Sequence, residues 1–187
     1  VTRFQAAWDW FETVNESCRL FGQLGNCWAD LPWEADRLPP GRLRNIEGPE
    51  FSTLRDRVRE PLNDLAILFL FSVFEATVRD HVRLQVDPEI ERLQHEALQQ
   101  AGRDLRETLD DGSFFRVLKL VKGIDHNLAE EVNRIRKHRN WIAHGKKAGG
   151  EPAFTVGEPK EVYGRLRAFL ELLSKSVPPL ADDAGSV

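Results

Sequence analysis

Apolar side chains recur every three or four residues over most of this 187-residue chain, a rhythm that favours helices over any other regular structure. Near the start, Phe4, Trp8, Phe11, Val14, Cys18 and Phe21 form one stripe, which predicts an amphipathic helix over 2–25. Pro32, Pro39-Pro40-Gly41 and Gly48-Pro49 then interrupt regular structure, because they hold or free the backbone in ways a helix rejects. Helical spacing resumes over 51–86, with Pro61 expected to kink or restart it. Asp87-Pro88-Glu89 reads as an Asp cap with proline in the first turn, opening a helix that Ile90, Leu93, Ala97, Ala101 and Leu105 carry toward Asp110. A short helix is predicted over 114–121. Another follows a cap at Asp125, with Leu128, Val132, Ile135 and Ile142 on one face, and ends at Gly145 and Gly149-Gly150. Residues 151–157 read as a loop, with a few extended residues around Phe154, and the last helix is predicted over 159–177. No internal repeat and no alternating strand pattern competes. The expected fold is all-α, an up-and-down helical bundle in a single domain. An N-terminal helix and a proline-rich connecting segment (1–50) elaborate a bundle core at 51–177, and a frayed tail covers 178–187.

Composition, at 41% hydrophobic and 30% charged, excludes collagen-like, disulfide-dense and wholly disordered classes. Cys18 and Cys27 stand at a spacing that matches no common zinc or redox motif, so free thiols in a reducing cytoplasm are expected. The longest apolar run, 65–74, is half the ~20 residues a bilayer requires. It reads as a buried core helix, and no membrane association is expected. A chain that begins at Val1 and contains no methionine reads as trimmed or as a piece of a longer polypeptide. Net charge is −4, but Arg134, Arg136, Lys137, Arg139, Lys146 and Lys147 fall within 134–147 with two histidines and no acid. Subtracting those six charges leaves −10 on the rest, so the chain carries one basic strip on an acidic background.

Within that strip, Leu128, Val132, Ile135, Arg139 and Ile142 follow a 4-3-4-3 rhythm, which puts Arg139 where a core residue is expected. An unpaired buried guanidinium is costly, so Arg139 must meet an acid, a ligand or another subunit. Asn140 and His144 are four apart and share a neighbouring face. Five steps at ~3.6 residues per turn put Arg139 and His144 about 140° apart on a straight helix. They converge if the helix opens before Gly145, or if each meets the other's copy across a two-fold axis.

Arg139-Asn140-Trp141-Ile142-Ala143-His144 resembles the motif of the HEPN family of small helical domains. The ribonuclease members of that family carry an Arg, four to six residues, then a His, often as Arg-Asn-x-x-x-His near the end of the penultimate helix. Ser72-Val73-Phe74-Glu75, in the most apolar helix, is a second point of similarity, since HEPN domains often place an acidic residue in such a central helix. The resemblance covers about 60–175 and implies metal-independent RNA cleavage with no cofactor. Histidine as a residue type moves protons near neutral pH, and arginine offers a planar fork to phosphate oxygens. A homodimer with the motif at its interface supplies two His and two Arg in one cleft, enough for acid and base. The implied site is Arg139 and His144, with Asn140 orienting the imidazole or the phosphate and Glu75 positioning the Arg or the helix end. The implied setting is a cytoplasmic toxin or antiviral-defence effector, held inactive by a cognate partner such as a nucleotidyltransferase-type antitoxin.

Arg134, Arg136, Lys137, His138, Lys146 and Lys147 are candidates for contacts to RNA phosphates, against the plainer reading of a solvated helix face. Trp141 is a candidate for base stacking or, alternatively, for burial at a bundle or dimer surface. Two structural alternatives also stand: Arg139 paired with Glu75 inside the bundle, and His144 as a helix C-terminal residue favoured by the dipole. The functional alternatives are a non-catalytic HEPN module that binds RNA, a nucleotide or a protein, and a plain helical interaction domain. His95-Glu96-Ala97-Leu98-Gln99 lacks the second His of a zinc-protease helix. His126, His138 and His144 lack metal-site spacing, so no metal is expected.

Overall fold

Thr2 opens the first helix: its hydroxyl accepts from the Gln5 amide at 3.2 Å, satisfying one of the donors a helix start leaves over. The computed structural model describes residues 2–30, 48–121, 123–146, 152 and 154–175. These form α1 (Arg3–Leu24), a 3-10 segment (Gly25–Asp30), α2 (Gly48–Glu91), α3 (Glu96–Asp110), α4 (Phe114–Leu120), α5 (His126–Ala143) and α6 (Pro159–Lys175). The protein is all-α, and the described residues contain no strand, including those around Phe154. Most of the proline-rich stretch, from 31 to 47, and the tail after 175 lie outside the described residues. The chain forms two compact units, Val1–Ile67 and Leu68–Val187, which divide within α2.

In the first unit, α1 buries Phe4, Ala7, Trp8 and Phe11 on one face, as its apolar spacing predicts. Phe21 meets Phe51 of α2 with ring centroids 4.7 Å apart. Gly25 lets the backbones close up: a Cβ there would stand 2.7 Å from Phe51 Cβ and 2.8 Å from the Gly48 carbonyl.

The second unit is organised by aromatic rings. Phe114 of α4 sits edge-on to Phe71 and Phe74 of α2 at 5.5 and 5.7 Å, and Phe169 of α6 meets Phe74 at 5.3 Å. Such edge-to-face pairs each contribute about 0.5–1.5 kcal/mol beyond their buried area. Leu70, Val78, Leu109, Val117, Val132, Ile135, Val162 and Leu166 complete the interior. By length and composition α2 is the one helix among the described residues able to cross a bilayer. Leu70, Phe71, Phe74 and Val78 of this helix are buried, whereas Leu65 and Phe69 are exposed.

Two sequence expectations are corrected here. Pro61 does not restart a helix, and Asp87-Pro88-Glu89 does not open one, because α2 runs through both prolines to Glu91. Each proline deprives the carbonyl four residues earlier of its partner, at Arg57 and Leu84. Pro61, Arg57, Pro88 and Leu84 are all exposed, so solvent can take those carbonyls. Asp87 is drawn from capping by Arg106 of α3, whose Nε donates to Asp87 Oδ1 at 2.7 Å. Ile90 is buried against Gly102 of α3, where a Cβ would stand 2.7 Å from its Cγ2. The next helix instead begins at Glu96, capped by His95, whose Nδ1 accepts from the Ala97 amide at 3.2 Å.

Candidate functional site

The candidate residues sit on α5, which starts at the Asp125 cap. Its carboxylate accepts from the Asn127 and Leu128 amides at 3.0 and 3.2 Å. Val132, Ile135 and Ile142 are buried, so the expected seam faces inward and carries Arg139 with it. Arg139 is half-buried, and its guanidinium carbon lies 6.0 Å from the Phe71 ring centroid. Nη1 donates to Asn140 Oδ1 at 3.1 Å, whereas Nε is buried with no acceptor. Among the described residues no carboxylate forms an ion pair with Arg139.

Glu75, the acid offered by sequence for that role, is engaged elsewhere. Its Oε1 accepts from Arg79 Nη2 at 2.7 Å and from Arg79 Nε at 3.2 Å. Arg79 also donates to the main-chain carbonyls of Leu109 at 2.7 Å and Gly112 at 2.8 Å, clasping the α3–α4 connection to α2. Sequence reasoning passed over Arg79, although Glu-x-x-x-Arg on one helix face is a recognised pairing signal.

The end of α5 is tightly specified. The Gly145 amide donates to the Ile142 carbonyl at 2.9 Å and the Lys146 amide to the Trp141 carbonyl at 2.9 Å, the paired bonds of a Schellman cap. Gly145 (φ 69°) adopts the left-handed region that this cap demands, and Lys146 just past it is left-handed too (φ 60°). Lys146 Nζ folds back to 5.6 Å from the Trp141 ring centroid. The helix stays closed through Ala143, with His144 as the capping residue and its amide donating to the Asn140 carbonyl at 3.0 Å. His144 is exposed. Opening of the helix before Gly145, one of the two routes by which Arg139 and His144 could converge, is therefore not what α5 does. The guanidinium lies over the Phe71 ring and His144 is exposed, so the described chain does not itself bring the two groups together.

The remaining basic candidates are spread around the helix. Arg134 and Lys137 are exposed, Arg136 and His138 are half-buried, and Lys147 lies outside the described residues. Arg136 Nε donates to Asn133 Oδ1 at 3.0 Å. Its guanidinium carbon lies 5.8 Å from the Phe115 centroid, with Lys119 Nζ at 4.7 Å from the same ring. Phe115 is 40% exposed while its neighbour Phe114 is buried, so this open aromatic flanked by two cations was also missed in the sequence. The signal was the Phe-Phe pair itself, since a helix against a core buries only one of two adjacent residues. Trp141 is half-buried with its Nε1 lacking an acceptor, and the His138 ring lies 5.5 Å from it. Among the described residues no three His, Cys, Asp or Glu side chains are grouped to hold a metal ion. Compared with known proteins, the chain matches no family model, no curated protein and no solved structure.

Proposed function

We propose that this protein is a metal-independent endoribonuclease of the HEPN type, acting as a homodimer and serving as a cytoplasmic toxin or defence effector. The observation that carries the reading is Arg139: a half-buried guanidinium bound to Asn140, with no carboxylate partner among the described residues and an Nε that lacks an acceptor. A charge left in that state is completed by an anion, and a planar fork suits a phosphodiester. Exposed His144, set by the Schellman cap, supplies the proton-transfer group. In the dimer the histidine of one copy takes the 2′-hydroxyl proton as its oxygen attacks phosphorus. The other gives a proton to the departing 5′-oxygen, and a 2′,3′-cyclic phosphate remains. Arg139 balances the extra negative charge at phosphorus. Lys119 and Arg136 around Phe115, with exposed Arg134 and Lys137, offer stacking and phosphate contacts to an unpaired strand. A nucleotidyltransferase-type antitoxin is the proposed partner that holds such an enzyme inactive.

The divergence of Arg139 and His144 within one chain favours a second reading, a non-catalytic module that binds RNA or a nucleotide through Arg139. Incubation of structured and unstructured RNAs with the protein in EDTA separates the two. Cyclic-phosphate ends that disappear with Arg139→Ala or His144→Ala support the nuclease. Binding with no cyclic-phosphate product supports the module, and cleavage that needs a divalent ion refutes the mechanism.

A further inference from the structure

Phe115 of α4 is 40% exposed and carries two cations of its own compact unit: Lys119 Nζ lies 4.7 Å from the ring centroid and the Arg136 guanidinium carbon 5.8 Å. The two are not held alike. Arg136 is half-buried and fixed by the bond from its Nε to Asn133 Oδ1, whereas Lys119 is exposed and forms no ion pair among the described residues. An exposed ammonium on a ring is a weak contact, and a nucleobase stacked on the same ring is a stronger one. A base arriving at Phe115 therefore displaces the Lys119 ammonium, which swings on its flexible stem to the phosphate beside that base. Cations alone suit any anion; the open ring adds a demand for a flat π face, which a nucleobase offers and a carboxylate does not. On α5 the Arg136 flank leads to the candidate residues. Arg136, Asn140 and His144 follow at four-residue steps, and with Asn133 they fall within a sector of about 80° at ~3.6 residues per turn. Arg139 joins that flank through its bond to Asn140 Oδ1. From position 136 to 144 the helix rises about 12 Å, roughly three to four nucleotides at the ~3.4 Å rise of a stacked strand. We propose that Phe115 is a base-stacking subsite, which takes one unpaired nucleobase in place of the Lys119 ammonium, with the strand continuing along the Arg136–Asn140–His144 flank. This rests on the reading of the protein as one that acts on RNA, and it makes an unpaired base a few nucleotides from the reacting phosphate a requirement for tight binding.

Short 2′-O-methyl oligoribonucleotides are the probes, because without a 2′-hydroxyl nucleophile they stay intact. One base at a time is replaced by 2-aminopurine, whose fluorescence falls on stacking, and affinity for the full chain is read by anisotropy. Quenching on binding is expected at one position of the strand. Phe115→Leu is expected to weaken binding about tenfold and to remove the quench with the helical circular dichroism intact, while Phe115→Trp keeps both. An abasic site at the quenched position should weaken the parent by the same factor and Phe115→Leu no further. Lys119→Gln should keep the quench and reduce the salt slope of binding by about 0.7, whereas Arg103→Gln, which removes an exposed charge on α3, should change neither. The proposal is overturned by parental affinity in Phe115→Leu, by equal affinity for the same sequence as a duplex, or by no affinity for the unpaired strand. Displacement of the strand by polyglutamate as readily as by RNA also overturns it, since the cations would then serve an acidic protein. The ribonuclease reading is scored separately, on cyclic-phosphate product from RNA with free 2′-hydroxyls: its absence beside an intact quench refutes the nuclease and leaves the subsite standing.

Discussion

Methionine at position 139 would keep an unbranched stem beside the Phe71 ring and delete the charge. The structure allows the balance of terms to be worked. The substitution removes the 3.1 Å bond from Nη1 to Asn140 Oδ1, worth ~1 kcal/mol net. It also removes a cation–π contact at 6.0 Å, worth ~0.5–1 kcal/mol at a partly solvated position. Against these, it relieves a buried donor with no acceptor, which costs ~1–3 kcal/mol. The terms nearly cancel, so Arg139→Met is expected to stay within about 1–1.5 kcal/mol of the parent in stability, while losing RNA cleavage. Urea unfolding followed by tryptophan fluorescence measures the first, and cyclic-phosphate formation in EDTA measures the second. A destabilisation of about 2 kcal/mol or more would refute the reasoning, because that is how a structural ion pair responds to losing one partner.

Arg79→Met should destabilise by roughly 2–4 kcal/mol, since it strands the mostly buried Glu75 carboxylate and two main-chain carbonyls; a double-mutant cycle with Glu75→Gln in urea checks the coupling. Gly145→Ala should cost about 1–2 kcal/mol from backbone strain alone, since a Cβ there meets nothing within 4 Å, and faster amide exchange at positions 145 and 146 would report it. Burial lowers the pKa of His81 below its ordinary 6.5, and Gln85 Nε2 lies 3.0 Å from an imidazole nitrogen that must be unprotonated to accept its bond. The unfolded chain binds this proton more readily than the folded one, so the contribution is present above pH 6.5 and is lost as pH falls below it. His81→Gln should accordingly flatten the urea midpoint against pH across that acid window.

The helices were legible wherever local signals and tertiary packing agree. The Asp125 cap, the α5 seam and the Phe4-Trp8-Phe11 stripe each serve in the structure the purpose their spacing suggests. Asp87-Pro88-Glu89 misled because a strong local start signal was overruled at a distance, by Arg106 reaching Asp87 and by Gly102 receiving Ile90. Arg139 was legible as an anomaly of rhythm, but its surroundings were not. Nothing in the spacing of Glu75 from residue 139 could reveal that Arg79, one turn along, claims the carboxylate first. The exposure of Phe115 depends on which member of a pair α4 turns inward, and that is decided by the partner rings Phe71 and Phe74.

The Arg79 clasp grips the α3–α4 connection through main-chain oxygens and reads none of its side chains. That joint is thus indifferent to most of its own lettering. The exposed side chains at Asp111 and Ser113 can be rewritten freely, the more so as Ser113 makes no side-chain cap bond. Gly112 is the one character that cannot change, since a methyl there would stand 2.3 Å from the Thr108 carbonyl oxygen. Diversity at this corner of the molecule is licensed by a single arginine on another helix.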